Sequence, residues 1–387
     1  MEVKQIATII NETTKEALGE SAIINEDLSN IVEVGDTIEN KMGFDNYVEK
    51  LNDVIGRMIF VNRVYKGRLP SVYRDAWEYG SIVEKVSMAL PDATENESWE
   101  LNDGEVYEVN QFYKPTIYVK LWNKRVTFEI PISITRKQVR SSFNTPTQLN
   151  SFISMIYTGI ENAMTLKLDS LVMRAVNNAI GETVYADYAG TDITKKSGFK
   201  AVNLLYKYNN EANNGGTALT ADQAMTNKEF MKYAVKVIND YVDRMQSFST
   251  LFNIEGRERF TPSDKMHIAF LSEFKNSANV YLQSDTFNDE YTKLPGAETV
   301  PYWQGTGEDY KFSSTGKIDI KTASNNNVSV TGVIGCIWDH DALGVANLEM
   351  YTTANYNAKA EFYNEWHKMI AGIFNDKSEN MVVFFIA

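Results

Sequence analysis

The residues able to do chemistry are few in this chain of 387 residues. It has three histidines, His267, His340 and His367, and one cysteine, Cys336. Asp339-His340-Asp341 is the one run that resembles a metal site. Neighbouring side chains on a strand point to opposite faces, so three consecutive ligands are awkward. No second His stands close in sequence to complete a zinc set. The run is read as a loop or strand end with solvated charges. His267 falls in the apolar run Met266-His267-Ile268-Ala269-Phe270-Leu271 and reads as a satisfied core histidine; His367, in an aromatic tail, reads as packing. Cys336 sits in Val333-Ile334-Gly335-Cys336-Ile337-Trp338. A single thiol forms no internal disulfide, and without cationic surroundings it is a small buried hydrophobe rather than a nucleophile. There is no Walker loop, no Gly-x-Gly-x-x-Gly after a strand, no Gly-x-Ser-x-Gly elbow and no His-Glu-x-x-His. Paired carboxylates say little in so acidic a chain. The sequence names no catalytic, cofactor-binding or metal-ligating residue, and the expectation is a protein that is not an enzyme.

What remains is recognition. Arg136, Lys137 and Arg140 cluster ahead of a long helical pattern, and either touch phosphate or an acidic neighbour or form a solvated, salt-bridged face. Trp99, Tyr107, Phe112, Tyr113 and Tyr118 are either anchors of a subunit contact or cross-strand packing.

The element that must position these residues runs from Thr145 to Gly181. Thr145-Pro146-Thr147-Gln148 is a capping box with a helix-compatible proline. Apolar residues then recur in steps of three and four at Leu149, Phe152, Ile153, Ile156, Ile160, Met164, Leu168, Leu171, Val172, Ala175 and Val176. Gly181 reads as the left-handed stop, which gives a helix roughly 50 Å long. Gly159 marks a bend or a close contact. Such a helix is either a strut or the core of a bundle.

Before it, residues 1–42 suggest a short helix and an extended arm, 44–58 a helix and 59–64 a strand. Thr116-Ile117-Tyr118-Val119-Lys120-Leu121 and Val126-Thr127-Phe128-Glu129-Ile130-Pro131-Ile132 read as the two strands of a ribbon turning at Asn123-Lys124. A two-stranded ribbon is marginal alone, so it is expected to lie on something else. After the helix, 184–220 reads as loop; Thr226-Asn227-Lys228-Glu229 is a second capping box opening a helix to about Ser249. Strands over 266–271 and 328–338, with a helix over 272–282 between them, indicate a mixed α/β lobe from 195 to 341. The tail returns to β, ending on Met381-Val382-Val383-Phe384-Phe385-Ile386, which is too apolar to be left uncovered.

The totals fit a large globular chain: 43% hydrophobic and 12% aromatic residues, enough for two or three lobes. A net charge of −13 argues against a dedicated nucleic-acid binder. It leaves room for a container whose inner wall sees DNA without gripping it. There is no apolar run long enough to span a membrane and no signal peptide, so a reducing cytoplasm is the expected place of synthesis.

The order of parts, an arm with a short helix, an extended ribbon, a capped long helix, a mixed lobe and a final β return, resembles the major capsid protein of tailed bacteriophages, with its α+β HK97-type fold. Phe44-Asp45-Asn46-Tyr47-Val48-Glu49-Lys50-Leu51, and the tail from Tyr363-Asn364-Glu365-Trp366-His367 to Met381-Val382-Val383-Phe384, are similar to the major head proteins of small short-tailed phages. The resemblance implies an N-terminal arm at 1–66, an E-loop region at 67–135, a P-domain at 136–194 with a spine helix at 146–180, an A-domain at 195–341 and P-domain return strands at 342–387. It implies a virion shell of pentamers and hexamers of this chain around double-stranded DNA bound without sequence specificity. Assembly would take place in the bacterial host cytoplasm, with a separate scaffolding protein and a portal, and with no cofactor, metal or membrane. The alternatives are an encapsulin-type compartment or, of another class, an enzyme with a site in the 195–341 lobe.

Overall fold

The computed structural model describes residues 11, 13–15, 68–74, 83–107, 110, 112–135, 137, 146–213, 215–283, 294–304 and 315–387. The arm helix at 44–58, the strand at 59–64, the cap at Thr145, and Arg136 and Arg140 lie outside the described residues.

In chain order the strands are β1 (Tyr73–Arg74), β2 (Val83–Met88), β3 (Ile117–Trp122) and β4 (Arg125–Thr135). The long helix α1 (Pro146–Tyr188) follows, then β5 (Ala201–Asn203), α2 (Lys228–Met245), β6 (Met266–Leu271), α3 (Ser272–Gln283) and β7 (Glu298–Val300). The chain ends in β8 (Ile318–Lys321), β9 (Asn327–Val330), β10 (Val333–Asp339), β11 (Leu343–Asn357), β12 (Phe362–Asn375) and β13 (Met381–Phe385).

Pro146 is the first residue of α1. The helix has 43 residues, about 65 Å of rise. It is longer than the spacing predicts because Gly181 does not stop it. A Cβ at Gly181 would collide with the Ile320 side chain of β8, so this glycine serves the close approach of a strand to the helix. Gly159, read as a bend or a close contact, has open space around it and no close contact. Ile156, Ile160, Met164 and Leu168 form one buried stripe; from Leu171 to Tyr188 burial widens around the helix, taking in Met173, Ala179, Ile180 and Val184. The widening has a cause: α1 touches β4, β11 and β12 of one sheet, β5 and β13 of another, and the β8–β9 hairpin.

The first sheet has four strands in the order β1-β11-β12-β4. Its centre is the antiparallel pair β11–β12, which runs from Leu343↔Asn375 to Asn357↔Phe362. Pro131 lies mid-strand in β4, which is tolerated because β4 is the edge. The second sheet, β5-β13-β10-β6-β7, is the core of the 195–341 lobe. All seven residues of β10 are buried, and α3 packs on β6 and β7. Two aromatic edge contacts join the helices to this sheet, Tyr241 to Phe384 at 5.5 Å and Tyr188 to Phe385 at 5.8 Å between ring centroids.

Other expectations are also corrected. The ribbon is not made of the two strands flanking Asn123-Lys124: β3 pairs with β2, and β4 pairs with β12. Two residues suffice to carry an extended chain from one sheet to the next, and the Lys124 carbonyl accepts the Ile373 N–H as β4 begins. The last strand does not stay with the other return strands. All five residues of β13 are buried, which requires an interior position, and it lies between β5 and β10. Residues 184–220 are more ordered than a loop, with the end of α1, β5 and a short helix at Leu204–Lys207. Finally, Asn227 rather than Thr226 caps α2, accepting from the Phe230 N–H at 2.9 Å, and the two-way capping box is Thr220 with Gln223.

The run 328–338 is also two strands, divided by Gly332 at φ +70°. A Cβ at Gly332 would collide with the Ile386 carbonyl oxygen. Gly332→Ala therefore adds a left-handed penalty to an overpacked backbone contact, and is expected to lower the stability of the folded chain by about 2–4 kcal/mol in denaturant titrations.

Candidate functional site

The β2–β3 ribbon is amphipathic in the unusual sense. Register places Glu84 opposite Leu121, Val86 opposite Val119 and Met88 opposite Ile117 on one face. That face is outward: Val86 is 62% exposed and Val119 55%, and Met88, Ile117 and Leu121 are also more than half exposed. Lys85, Ser87, Tyr118, Lys120 and Trp122 face the body and are half-buried. Both lysines turn in and five aliphatic residues turn out, the reverse of a solvated hairpin. Beyond the strands, Trp99 is 95% and Phe112 84% exposed. Isolated exposed hydrophobes are ordinary, but a contiguous face of five marks an interaction surface.

The inward face explains how such a ribbon keeps its place. Lys85 Nζ meets Asp376 Oδ2 at 2.9 Å and Glu379 Oε1 at 2.7 Å. Lys120 Nζ meets Asp376 Oδ1 at 2.7 Å and also pairs with Glu255. The Asp376 side chain is fully buried. It also accepts the Ser378 backbone N–H at 3.0 Å and the Ser378 hydroxyl at 2.7 Å, which closes the turn between β12 and β13. Arg257 lies over the Tyr118 ring at 3.8 Å, and Trp122 packs on Phe374 at 5.7 Å. Burial pushes the Asp376 carboxyl up, but the hydrogen bonds from Lys120, Lys85 and Ser378 outweigh it and hold the group at about 2. Burial likewise lowers the Lys85 ammonium, and its bonds to Asp376 and Glu379 outweigh that and raise it.

None of the chemistry-bearing residues singled out in the sequence is part of this latch. The structure does bring two of them together: His267 Nε2 and His340 Nδ1 are 2.8 Å apart. Burial, with the facing imidazole and the Arg74 guanidinium, keeps His267 below the ordinary range, and burial with Arg74 does the same for His340. His367 is fully buried, 3.2 Å from the Thr352 hydroxyl and 3.4 Å from Glu365. Cys336 is buried and its thiol is pushed up by that burial. Among the described residues no three His, Cys, Asp or Glu side chains are placed to hold a metal. Of the five aromatics, Tyr118 packs inward, whereas Trp99, Phe112 and Tyr113 stand outward. The latch residues Lys85, Lys120, Asp376 and Glu379 carried no local signal; the alternation in 83–88 was the one available clue.

Residues 10–385 match the family described as Phi29-like phage major capsid protein. The chain belongs to this family. It is a capsid shell protein, built into the virion from many copies of itself. Family membership also decides between the phage shell and the encapsulin reading in favour of the phage. Among solved structures, the capsid protein is similar to a chain in the capsid of Staphylococcus phage Andhra, at 10% identity and a TM-score of 0.49, covering 84% of this chain and 86% of that one. A chain in the capsid of cyanophage P-SCSP1u is similar at 11% identity and a TM-score of 0.46, covering 85% and 92%. No curated protein matches. Among the described residues no helix is long and apolar enough to cross a membrane.

Asp376→Asn leaves Lys85 and Lys120 half-buried with less compensation, and is expected to cost about 2–3 kcal/mol at neutral pH. The sign with pH follows from a depressed carboxyl. Its contribution is present in full above the unfolded value of 3.8 and fades as pH falls toward about 2. The stability gap between the wild-type chain and Asp376→Asn should therefore narrow between those two values, as read by denaturant melts at a series of pH.

Proposed function

We propose that the capsid protein closes as pentamers and hexamers into an icosahedral head around double-stranded DNA. Assembly takes place in the host cytoplasm with a separate scaffolding protein and a portal. In this reading 1–66 is the arm, and the ribbon within 67–135 is the E-loop, docked by its apolar face on a neighbouring copy. α1 is the spine of the P-domain, the four-stranded sheet is the rest of that domain, and the five-stranded sheet, β13 included, is the A-domain. The net charge of −13 supports a wall that does not trap the DNA it encloses.

The observation that carries the reading is the outward apolar face of β2–β3. Covering one half-exposed aliphatic side chain contributes on the order of 1 kcal/mol, so five contribute about 5. Bringing two proteins together costs about 4–15 kcal/mol. One ribbon is thus too weak to hold a dimer, but a closed shell, in which every copy gives and receives a ribbon, repays the cost. The surface favours cooperative assembly over small stable oligomers.

The test is the double substitution Val86→Asp and Val119→Asp. Both side chains point to solvent in the single chain, so the unfolding midpoint should stay within about 0.5 kcal/mol of wild type. Closed shells, counted by electron microscopy and sedimentation in the presence of the scaffolding protein, should fall at least about tenfold. Shells formed as readily as by wild type would overturn the docking role.

A further inference from the structure

Two of the three histidines face each other where the chain passes from one large sheet to the other. His267 lies on β6, and its register partner is Trp338 of β10, with ring centres 6.0 Å apart. His340 stands one residue beyond the end of β10, in the turn that carries the chain out of the five-stranded sheet into β11 of the four-stranded one. Its N–H donates to the Lys265 carbonyl at 2.8 Å, and its carbonyl accepts from the Arg74 guanidinium of β1. Arg74 also reaches the Leu343 carbonyl at 3.4 Å, and its register partner is Ala346 of β11. Through ring and backbone, His340 therefore meets the start of β6 and the edge strand of the other sheet.

A single hydrogen bond joins the two rings. His267 Nε2 and His340 Nδ1 are 2.8 Å apart and the ring centres 5.1 Å apart, the sum of that bond and two ring radii. The nitrogens are thus aimed along one line at each other, which suits a shared proton. One nitrogen gives the N–H and the other accepts it with its lone pair. The neutral pair keeps this bond, and a pair with one added proton keeps it as a charge-assisted one. A pair with two added protons has N–H facing N–H and no acceptor. Arg74 and Lys265 are the cations beside the pair, and Asp339 and Asp341 the anions. The Asp339 carboxylate accepts the Asp341 N–H at 2.9 Å, and the Asp341 carboxylate faces Lys265 at 3.8 Å. With these charges in balance, each added proton is in excess next to Arg74, and the second also ends the bond.

We propose that the His267–His340 pair is an acid-released clasp between the two sheets. Neutral or singly charged, it holds the β10–β11 turn on β6 and keeps the His340 carbonyl against Arg74. Doubly charged, the rings part, the turn loses its side-chain tie to β6, and Arg74 is pushed away. What loosens is β1, a strand of two residues with a short ladder to β11, for which Arg74 is much of the attachment. The rest of the segment stays, with Arg68 on Asp169 and Ser71 on Glu298, each at 2.7 Å. Burial, and Arg74 with it, holds both histidines below the ordinary value of 6.5, so the folded chain takes up these protons less readily than the unfolded one. The clasp contributes in full above 6.5 and is lost as pH falls below it. Asp376, held at about 2, stays charged over that range. The ribbon latch takes no part, and the inference stands or falls apart from the ribbon's role in assembly.

The experiment uses the full unassembled chain with isotope-labelled histidine rings. Nuclear magnetic resonance follows the rings, assigned with His267→Gln and His340→Asn, as pH is lowered from above 6.5 to well below it. In the wild-type chain the pair should take up its protons in two steps at least about one pH unit apart. Each substitution should leave a single step for the ring that remains. Hydrogen exchange, corrected for the intrinsic effect of pH, should show protection over 70–74 and 340–345 falling at least about tenfold through the second step. The β11–β12 ladder beyond 350 should keep its protection, which separates local release from unfolding. Either substitution puts a neutral amide opposite the remaining ring, so the fall should disappear in the variant. One folded variant suffices for the comparison; if neither folds, the two-step titration and the exchange of the wild-type chain decide. Rings that titrate independently, protection over 70–74 that is unchanged by acid, or an equal fall in wild type and variant overturns the proposal.

Discussion

The constraint on which the rest depends is the enclosure of α1. Among the described residues the two larger sheets and the β8–β9 hairpin all lean on the same helix. That is why the apolar stripe from Ile156 to Leu168 becomes an apolar surface on most sides after Leu171. It is also why Gly181 sits within the helix, where a larger residue would hold β8 away. A 43-residue helix is far longer than one compact core needs. Here it runs along two sheets that share no strand but contribute to one continuous core, and β12 and β13 tie the sheets together by crossing from one to the other through the turn at Asp376.

That same turn receives the ribbon. A two-stranded ribbon is marginal without help, and one that shows its apolar face to water is worse placed still. Asp376 supplies the help in ionic form. Buried carboxylate and lysine groups add little net stability, because their desolvation offsets most of their attraction, but they are directional. With the two lysines, Tyr118 and Trp122 holding the inner side and the aliphatic residues left outside, the ribbon is fixed in place and still able to bury a face on another copy.

The parts of the fold legible in the sequence were those with a local period. The stripe from Ile156 to Val176 marked the helix, and the runs at 266–271 and 333–338 marked the lobe. What escaped was pairing. Nothing between Ile117 and Thr135 tells whether two strands two residues apart fold back on each other or pass into different sheets, since that is settled by β2 and β12, over 30 and over 200 residues away. β13 was read as covered, correctly, but not as the link to β10, because a buried strand shows no preference for which sheet buries it. The ionic latch was illegible for a further reason: acidic residues are so common in this chain that Asp376 and Glu379 look like any other pair.

The most direct measurement is a reconstruction of the assembled shell at side-chain resolution. The account predicts that Val86, Met88, Ile117, Val119 and Leu121 are covered by a second copy, while Lys85 and Lys120 stay on Asp376 of their own chain. A shell in which that face of the ribbon remains open to water, with the subunits joined elsewhere, would contradict it.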